Sequence, residues 1–291
     1  MTVSAPSKVG FERILVPTDF SDISERALGY AKGLARWNDA TILLAHATEP
    51  VSSVAPPEVI WWDQFAGRQA DEALLEGTGA ELKAEGFHAG TVSVMGPLQA
   101  ELLALVEREN SDLIVMGTHG RTGLSRFFLG SETEALFRRA KCPILAIGPG
   151  TGAVEAAEWR PREIVCACDF DPDSATTAAY AYKLAQEFGA NVTIVHVEES
   201  EVHAPKEARQ LRFEFALSPL LPEGVKPVYL WRVLMLGYNV GGTIADIAVE
   251  RKADLIVIGA HGATPGETHL PRGIAPQVIA KARCPVLVLH R

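Results

Sequence analysis

Three short segments of the chain carry residues whose types and spacing suit the binding of a phosphorylated ligand. Pro17–Asp19 follows one apolar run, and Gly117–Gly120 follows another. Nine residues later comes Gly130-Ser131, directly before a stretch that is typical of a helix start. Glycines permit close backbone approach, a hydroxyl donates a hydrogen bond, and a helix N-terminus offers free N–H groups and a positive dipole end. This combination can bind an anion without lysine.

An internal repeat determines how these segments are arranged. The stretch Ile14–Ala47 aligns without a gap with Ile164–Val197, at a constant offset of 150 residues from Asp19 to Asp169. A second block, DLIVMGTHG against DLIVIGAHG, repeats at the shorter offset of 142 residues. A repeat of this kind predicts two copies of one structural unit.

The chain length supports two domains. A chain of 291 residues is long for a single core and suits two domains of about 140 residues each. The segment Gly148–Pro161 is rich in glycine, alanine and proline and has no clear periodicity, which indicates a linker. We therefore predict one domain over residues 10–149 and a second over residues 162–291.

Short apolar runs alternate with helical patterns in the first copy. The runs near Val92–Met95, Leu113–Met116 and Ile144–Ile147 complete a β-α-β-α-β-α-β-α-β order. This alternation predicts an α/β fold in which each domain is a doubly wound, five-stranded parallel sheet with helices on both faces, and we take the strand order to be 3-2-1-4-5. Strands one and four are then neighbours at the topological switch point, where such folds bind ligands. Pro17–Asp19 and Gly117–Gly120 would face each other across that crevice.

Charge and composition disfavour two classes of function. The formal net charge of −9 argues against a nucleic-acid-binding surface, because such surfaces carry clustered lysine and arginine. The first ten residues are polar and have no apolar run, so we expect neither a secretory signal nor a membrane span and predict a cytoplasmic protein.

Four cysteines are spread over the chain without a C-x-x-C pair, which predicts no disulfide framework. Cys166 and Cys168 are spaced C-x-C and, with His196, offer three candidate metal ligands. A structural zinc site requires four ligands, so we expect buried thiols here instead.

The pattern G-x2-G-x9-G-[ST] from Gly117 to Ser131, together with an aspartate at the end of the first strand, resembles the ATP-binding branch of the universal stress protein family. The resemblance covers both halves of the chain and implies an adenine nucleotide alpha hydrolase-like fold. It implies an adenine pocket in which Asp19 hydrogen-bonds the base and Ala47 lines it, with Gly117 near the ribose. It also implies that the last strands, Pro143–Ile147 and Pro285–Leu289, pair in an internal pseudo-dimer, which could associate further into a homodimer.

The resemblance further implies a phosphate site around the glycine loop. Arg121 is an additional phosphate partner from its position alone, and Glu132 would contribute its backbone N–H. The candidate nucleotide-binding residues are Pro17, Thr18, Asp19, Ala47, Met116, Gly117, His119, Gly120, Arg121, Gly130, Ser131, Glu132 and Thr133.

The second copy departs from this loop. At the constant offset Gly130 falls on Arg272 and Ser131 on Gly273, and Pro265 and Pro271 remove amide donors from the region that would surround phosphate. We expect this second site to be weak or empty for ATP.

Three functions remain open from the sequence. The first is an ATP-binding regulatory protein of the stress response, with Mg²⁺-ATP bound in the first domain. For this function we predict no catalytic residue and no metal ion held by protein side chains. The second is a slow ATPase or phosphotransferase that uses His119 or Asp19. The third is a nucleotide-free scaffold or ligand carrier.

Overall fold

The computed structural model describes the greater part of both repeats. The described residues are 10–48, 57–118, 136–137, 139–154, 159–168, 174–198, 230–236, 239–260 and 273–290, with a few isolated positions between 205 and 215.

Strands and helices alternate along the first repeat. Its elements are β1 (Arg13–Pro17), α1 (Asp22–Asn38), β2 (Thr41–Thr48), α2 (Pro57–Ala84), β3 (Ala89–Met95), α3 (Leu98–Glu109), β4 (Leu113–Gly117) and β5 (Ile144–Ile147). The second repeat has β6 (Glu163–Ala167), α4 (Ser174–Phe188), β7 (Asn191–Glu198), β8 (Leu230–Leu236), α5 (Val240–Glu250), β9 (Leu255–Gly259), α6 (Ile274–Lys281) and β10 (Val286–Leu289).

The strands form one ten-stranded sheet in the order β3-β2-β1-β4-β5-β10-β9-β6-β7-β8. Each half is parallel and has the predicted order 3-2-1-4-5. The α/β, doubly wound architecture is therefore confirmed.

The two halves join through their last strands, which pair in antiparallel fashion. Leu145 lies opposite Leu287, and the flanking pairs are Ile144 with Val288 and Ala146 with Val286. Leu145 and Leu287 are equivalent residues at the 142-residue offset, and the flanking pairs are reciprocal. A two-fold axis between two identical strands requires this register. Here the two strands, β5 and β10, belong to a single chain.

Equivalent helix ends in the two halves share their backbone conformation. Asp39 and Gly189, just after α1 and α4, have φ values of 55° and 64°. Asn110 and Lys252, near the ends of α3 and α5, have φ values of 51° and 53°. Residues in the left-handed region commonly terminate helices. The two halves therefore share the backbone conformation at their helix ends as well as their sequence pattern.

The core has two layers, because the parallel strands are covered on both faces. On one face α1 and α4 contribute Tyr30 and Tyr182. On the other face α3, α5 and α6 contribute Leu105, Ile244 and Val278. Burial of each large apolar side chain stabilises the fold by about 1.5–3 kcal/mol.

A half-buried aspartate, Asp112, at the amino end of β4 holds the start of β1. The carboxylate of Asp112 accepts hydrogen bonds from the backbone N–H groups of Glu12 (2.7 Å) and Arg13 (3.1 Å). Asp254 does the same at the start of β6. Burial raises the pKa of both carboxyl groups above the ordinary range. These aspartates fix the neighbouring central strands of each half at the edge opposite the predicted site.

The linker packs tightly against α1. Arg26 donates to the carbonyl of Thr151 (2.7 Å), and the hydroxyl of Tyr30 donates to the carbonyl of Gly152 (3.0 Å). Trp159 contacts the Tyr30 ring edge-on, with centroids 4.8 Å apart. Burial raises the pKa of Tyr30 to about 12, so its hydroxyl remains a donor even at alkaline pH, where an ordinary tyrosine ionises. The described parts of the linker are thus a packed element of the fold.

Further contacts cross between the halves. Thr151 donates from its hydroxyl to the carbonyl of Cys284 (3.3 Å). The rings of Trp37 on α1 and Phe188 on α4 lie 5.8 Å apart, and the guanidinium of Arg160 lies 4.5 Å above the Trp37 ring. The two domains therefore share a contact surface in addition to the β5–β10 pairing.

Helix α2 is the longest of the described helices and packs with one face on β2 and β3. It begins at Pro57, so Trp61 and Trp62 lie within the helix. Leu75 and Leu82 are buried, whereas Leu74 is 50% exposed. A continuous apolar run in a helix cannot all face the sheet, because successive residues point about 100° apart. Among the described helices, none is both long enough and apolar enough to cross a membrane.

Candidate functional site

The crevice at the carboxyl ends of β1 and β4 is the topological switch point of the first half. The two strands pair in parallel, Ile14 with Leu113 and Leu15 with Ile114. The connection after β1 leads to α1 on one face of the sheet, whereas Leu136 and Phe137, in the connection that leaves β4, are buried on the other face. Chains that leave adjacent strands towards opposite faces leave an opening between them.

Asp19 organises the turn between β1 and α1. Its Oδ1 accepts from the backbone N–H of Ser21 (3.2 Å) and from the Ser21 hydroxyl (2.5 Å). Thr18 adds a second local bond, since its Oγ1 accepts from the N–H of Phe20 (3.0 Å). Asp19 remains half-exposed at the crevice. The carboxylate therefore shapes the turn, and its position is also compatible with contact to a ligand.

The residue after Asp19 has an unusual backbone conformation. Phe20 has a φ of 58°, a region that residues with a Cβ rarely adopt. Its ring packs on the imidazole of His46, with centroids 4.9 Å apart. Such conformations persist only where the surroundings hold them, and they cluster at ligand sites.

The end of β4 supplies the opposite wall. Met116 and Thr118 are each 5% exposed, and Gly117 between them is half-buried. The N–H and the hydroxyl of Thr118 both donate to the carbonyl of Ile147, at 3.1 and 3.2 Å. These bonds extend the β4–β5 pairing by one residue beyond Gly117.

The packing of α1 against β4 requires a glycine at position 117. A Cβ placed there would lie 2.9 Å from Cγ2 of Ile23 and 3.2 Å from the backbone carbonyl carbon of Ile23, in the first turn of α1. Gly117 therefore allows α1 to approach β4 closely. The sequence alone indicates only the close approach of a ligand at this position.

The structure brings six of the predicted residues to this one edge of the sheet. Pro17 and Met116 are buried there, while Thr18, Asp19, Ala47 and Gly117 are half-buried. The remaining candidates, His119, Gly120, Arg121, Gly130, Ser131, Glu132 and Thr133, lie outside the described residues.

The equivalent edge of the second half has different chemistry. Cys168 stands where the first half has Thr18, and its Sγ lies 3.7 Å from that of Cys166. The hydrogen bond between the thiols and their burial raise the pKa of the Cys166 thiol well above its ordinary value. Both thiols are buried, as expected, and the described residues hold no cluster of three or more potential metal ligands.

His46, for which the sequence favours only a structural role, lies next to the Asp19 turn. Its Nδ1 donates to the Thr18 carbonyl (2.8 Å), and its Nε2 lies 3.5 Å from the Asp71 carboxylate. The only sequence signal was its repetition as His196, which donates in the same way to the Cys168 carbonyl (2.8 Å). Contact with α2 could not be inferred from either residue.

Comparisons with known proteins agree with this architecture. A universal stress protein of Mycobacterium bovis is 25% identical over 295 residues, covering 96% of this chain and 97% of its own length. One from Methanocaldococcus jannaschii is 32% identical over 142 residues, 47% of this chain and 82% of that protein. The crystal structure of a universal stress protein from Archaeoglobus fulgidus, 21% identical, has the same fold with a TM-score of 0.72 and 96% coverage of both chains.

The sequence profile of the universal stress protein family matches this chain twice, at residues 10–148 and 161–290. Together the two matches span nearly the whole chain, one in each half of the sheet. The protein is a tandem member of the universal stress protein family.

Proposed function

We propose that the first domain, residues 10–149, binds ATP with Mg²⁺, and that nucleotide occupancy regulates the protein's part in a stress response. The observation that carries the proposal is the convergence of the Asp19 turn and Gly117 at the switch point, where the G-x2-G-x9-G-[ST] segment leaves β4. Family membership supports the stress-response role.

The described residues fit an adenine nucleotide. Asp19 and Ala47 are half-buried at the ends of neighbouring strands, so a flat base can contact both while Pro17 and Met116 form the buried floor. In this proposal the base and ribose lie at this edge, and the phosphates extend towards the glycine loop and the helix start that the sequence predicts after Gly130 and Ser131. Bound Mg²⁺ offsets phosphate charge, which matters in a chain with a net charge of −9.

The second domain, residues 162–291, is proposed not to bind ATP tightly. Its glycine pattern has Arg272 and Gly273 at the positions of Gly130 and Ser131. Buried Cys168 replaces the hydroxyl of Thr18, which in the first half accepts from the Phe20 N–H. The chain thus carries one nucleotide site and one domain that has kept the fold without the site.

Thermal unfolding with and without Mg²⁺-ATP tests this proposal, combined with mass analysis of nucleotide released from freshly purified protein. A ligand at 100 times its dissociation constant stabilises the native state by about 2.7 kcal/mol, which raises the midpoint by roughly 5–10 °C. We expect this shift in the wild type and its loss in Gly130→Arg. Without any shift or co-purified nucleotide in the wild type, the proposal is wrong and a scaffold role is favoured.

A further inference from the structure

The imidazole of His46 lies buried beneath the turn that carries Asp19. His46 is on β2 and is 7% exposed, and its Nδ1 is 2.8 Å from the Thr18 carbonyl oxygen. A carbonyl oxygen only accepts, so Nδ1 carries the proton and donates. The ring therefore holds the backbone immediately before Asp19.

A carboxylate lies beside the other nitrogen of the ring. Nε2 of His46 is 3.5 Å from Oδ2 of Asp71, which belongs to α2 and has a side chain that is 24% exposed. The imidazole is thus in contact through one nitrogen with the end of β1 and through the other with a helix. Both contacts are favourable when the ring is an imidazolium, because both nitrogens then donate and both oxygens accept.

The ring also supports the strained residue of the turn. Phe20, with its φ of 58°, places its ring 4.9 Å from the imidazole at an interplanar angle of 33°. Asp19 therefore lies between two residues, Thr18 and Phe20, that His46 contacts. If the imidazole were lost, both contacts that flank Asp19 would be lost with it.

We infer that His46 is a positioning residue of the nucleotide site, holding the Thr18–Phe20 turn in the conformation that presents Asp19 to the base. Asp71 orients the ring from α2. This inference rests on the proposed function, and it names a residue on which nucleotide binding depends. It also makes the affinity for nucleotide dependent on the contact between α2 and β2, away from the glycine loop.

The second half of the chain supplies an internal control. Nδ1 of His196 donates to the Cys168 carbonyl at the same 2.8 Å. It therefore makes the same structural bond in a domain that we propose not to bind ATP tightly. A purely structural effect would appear equally at His46 and His196, whereas an effect on nucleotide binding would appear only at His46.

Asparagine and glutamine separate the two contacts of the ring. The amide nitrogen of Asn can occupy the place of Nδ1, and that of Gln the place of Nε2. His46→Asn keeps a donor for the Thr18 carbonyl, and His46→Gln keeps a group near Asp71 but loses that donor. His196→Asn and His196→Gln are the matched controls.

The experiment measures the dissociation constant for Mg²⁺-ATP by calorimetry on the full chain, together with the urea midpoint of each variant. We expect His46→Gln to weaken ATP binding about tenfold and His46→Asn by less than about threefold, since a lost buried hydrogen bond lowers the population of the competent turn. Both His196 variants should bind ATP within about twofold of the wild type while losing similar stability.

Each alternative result has a distinct meaning. If the wild type binds ATP but His46→Gln binds equally well, or if His196→Gln weakens binding as much, the inference about His46 is overturned and the proposed function stands. A reversed order of His46→Asn and His46→Gln also overturns it. If the wild type binds no ATP, the proposed function and the inference fail together. Should His46→Gln not fold, an unchanged affinity in Asp71→Ala is contrary to the inference.

Discussion

Replacement of Gly117 by alanine tests whether this glycine is required for packing or only for a ligand. The added Cβ would lie 2.9 Å from Cγ2 and 3.1 Å from Cγ1 of Ile23, and 3.2 Å from the Ile23 backbone carbonyl carbon. The first two atoms can move only with a side chain that is 7% exposed, and the third only with α1 itself.

The magnitude follows from these contacts. Overpacking of a core by one methyl group costs about 1–3 kcal/mol, and the reduced freedom of the unfolded chain recovers about 0.4–1 kcal/mol. We therefore expect Gly117→Ala to lower the free energy of unfolding by about 1–2 kcal/mol without any nucleotide present. The midpoint of urea unfolding, monitored by circular dichroism, measures this loss.

A double-mutant cycle identifies the cause. Ile23→Ala removes both Cγ atoms, so the combined variant should lose less stability than the sum of the single variants, with an interaction energy of about 1 kcal/mol. Gly77→Ala is the control, because a Cβ at this exposed position of α2 meets no atom within 4 Å. It should stabilise the protein by up to about 1 kcal/mol. If Gly117→Ala without nucleotide has the same free energy of unfolding as the wild type, the packing explanation is refuted.

Three further outcomes are expected. Tyr30→Phe removes the bond to the linker carbonyl and should lower the free energy of unfolding by about 0.5–1.5 kcal/mol; an unchanged urea midpoint would contradict this role of the linker. Burial raises the pKa of Cys142 and Cys284 to about 12, so both should resist iodoacetamide at about pH 9 until urea unfolds the chain. Because unfolded thiols ionise first, their contribution to stability is complete below pH 9 and is lost as the pH rises towards 12; rapid labelling of the native protein would contradict their burial. Leu145→Ala and Leu287→Ala should each cost about 2–5 kcal/mol, with a non-additive double variant, whereas strict additivity by urea unfolding would argue against their contact across the joined sheets.

The sequence predicted the large-scale fold because its signals are periodic. The alternation of apolar runs with helical patterns indicated a parallel sheet with helices on both faces. The repeat offset of 142 residues agrees with the observed register, in which the equivalent residues Leu145 and Leu287 lie opposite each other. Both signals depend on spacing along the chain, which the sequence records directly.

The local chemistry of the site depends on contacts between distant segments, which spacing does not record. The approach of Ile23 to Gly117 and the contact of His46 with Asp71 each join different elements. The left-handed conformation of Phe20 breaks the ordinary preference of a residue with a Cβ, so no local rule predicts it. Sequence rules fail at strained positions of this kind, because tertiary contacts hold the backbone there.

The central claim is that the first domain holds one adenine nucleotide and the second holds none. Isothermal titration of the full chain with Mg²⁺-ATP measures the number of sites directly, with Gly130→Arg as the comparison. The account predicts one ATP bound per chain in the wild type and no measurable binding in Gly130→Arg. Two sites per chain, or binding that persists unchanged in Gly130→Arg, would contradict it.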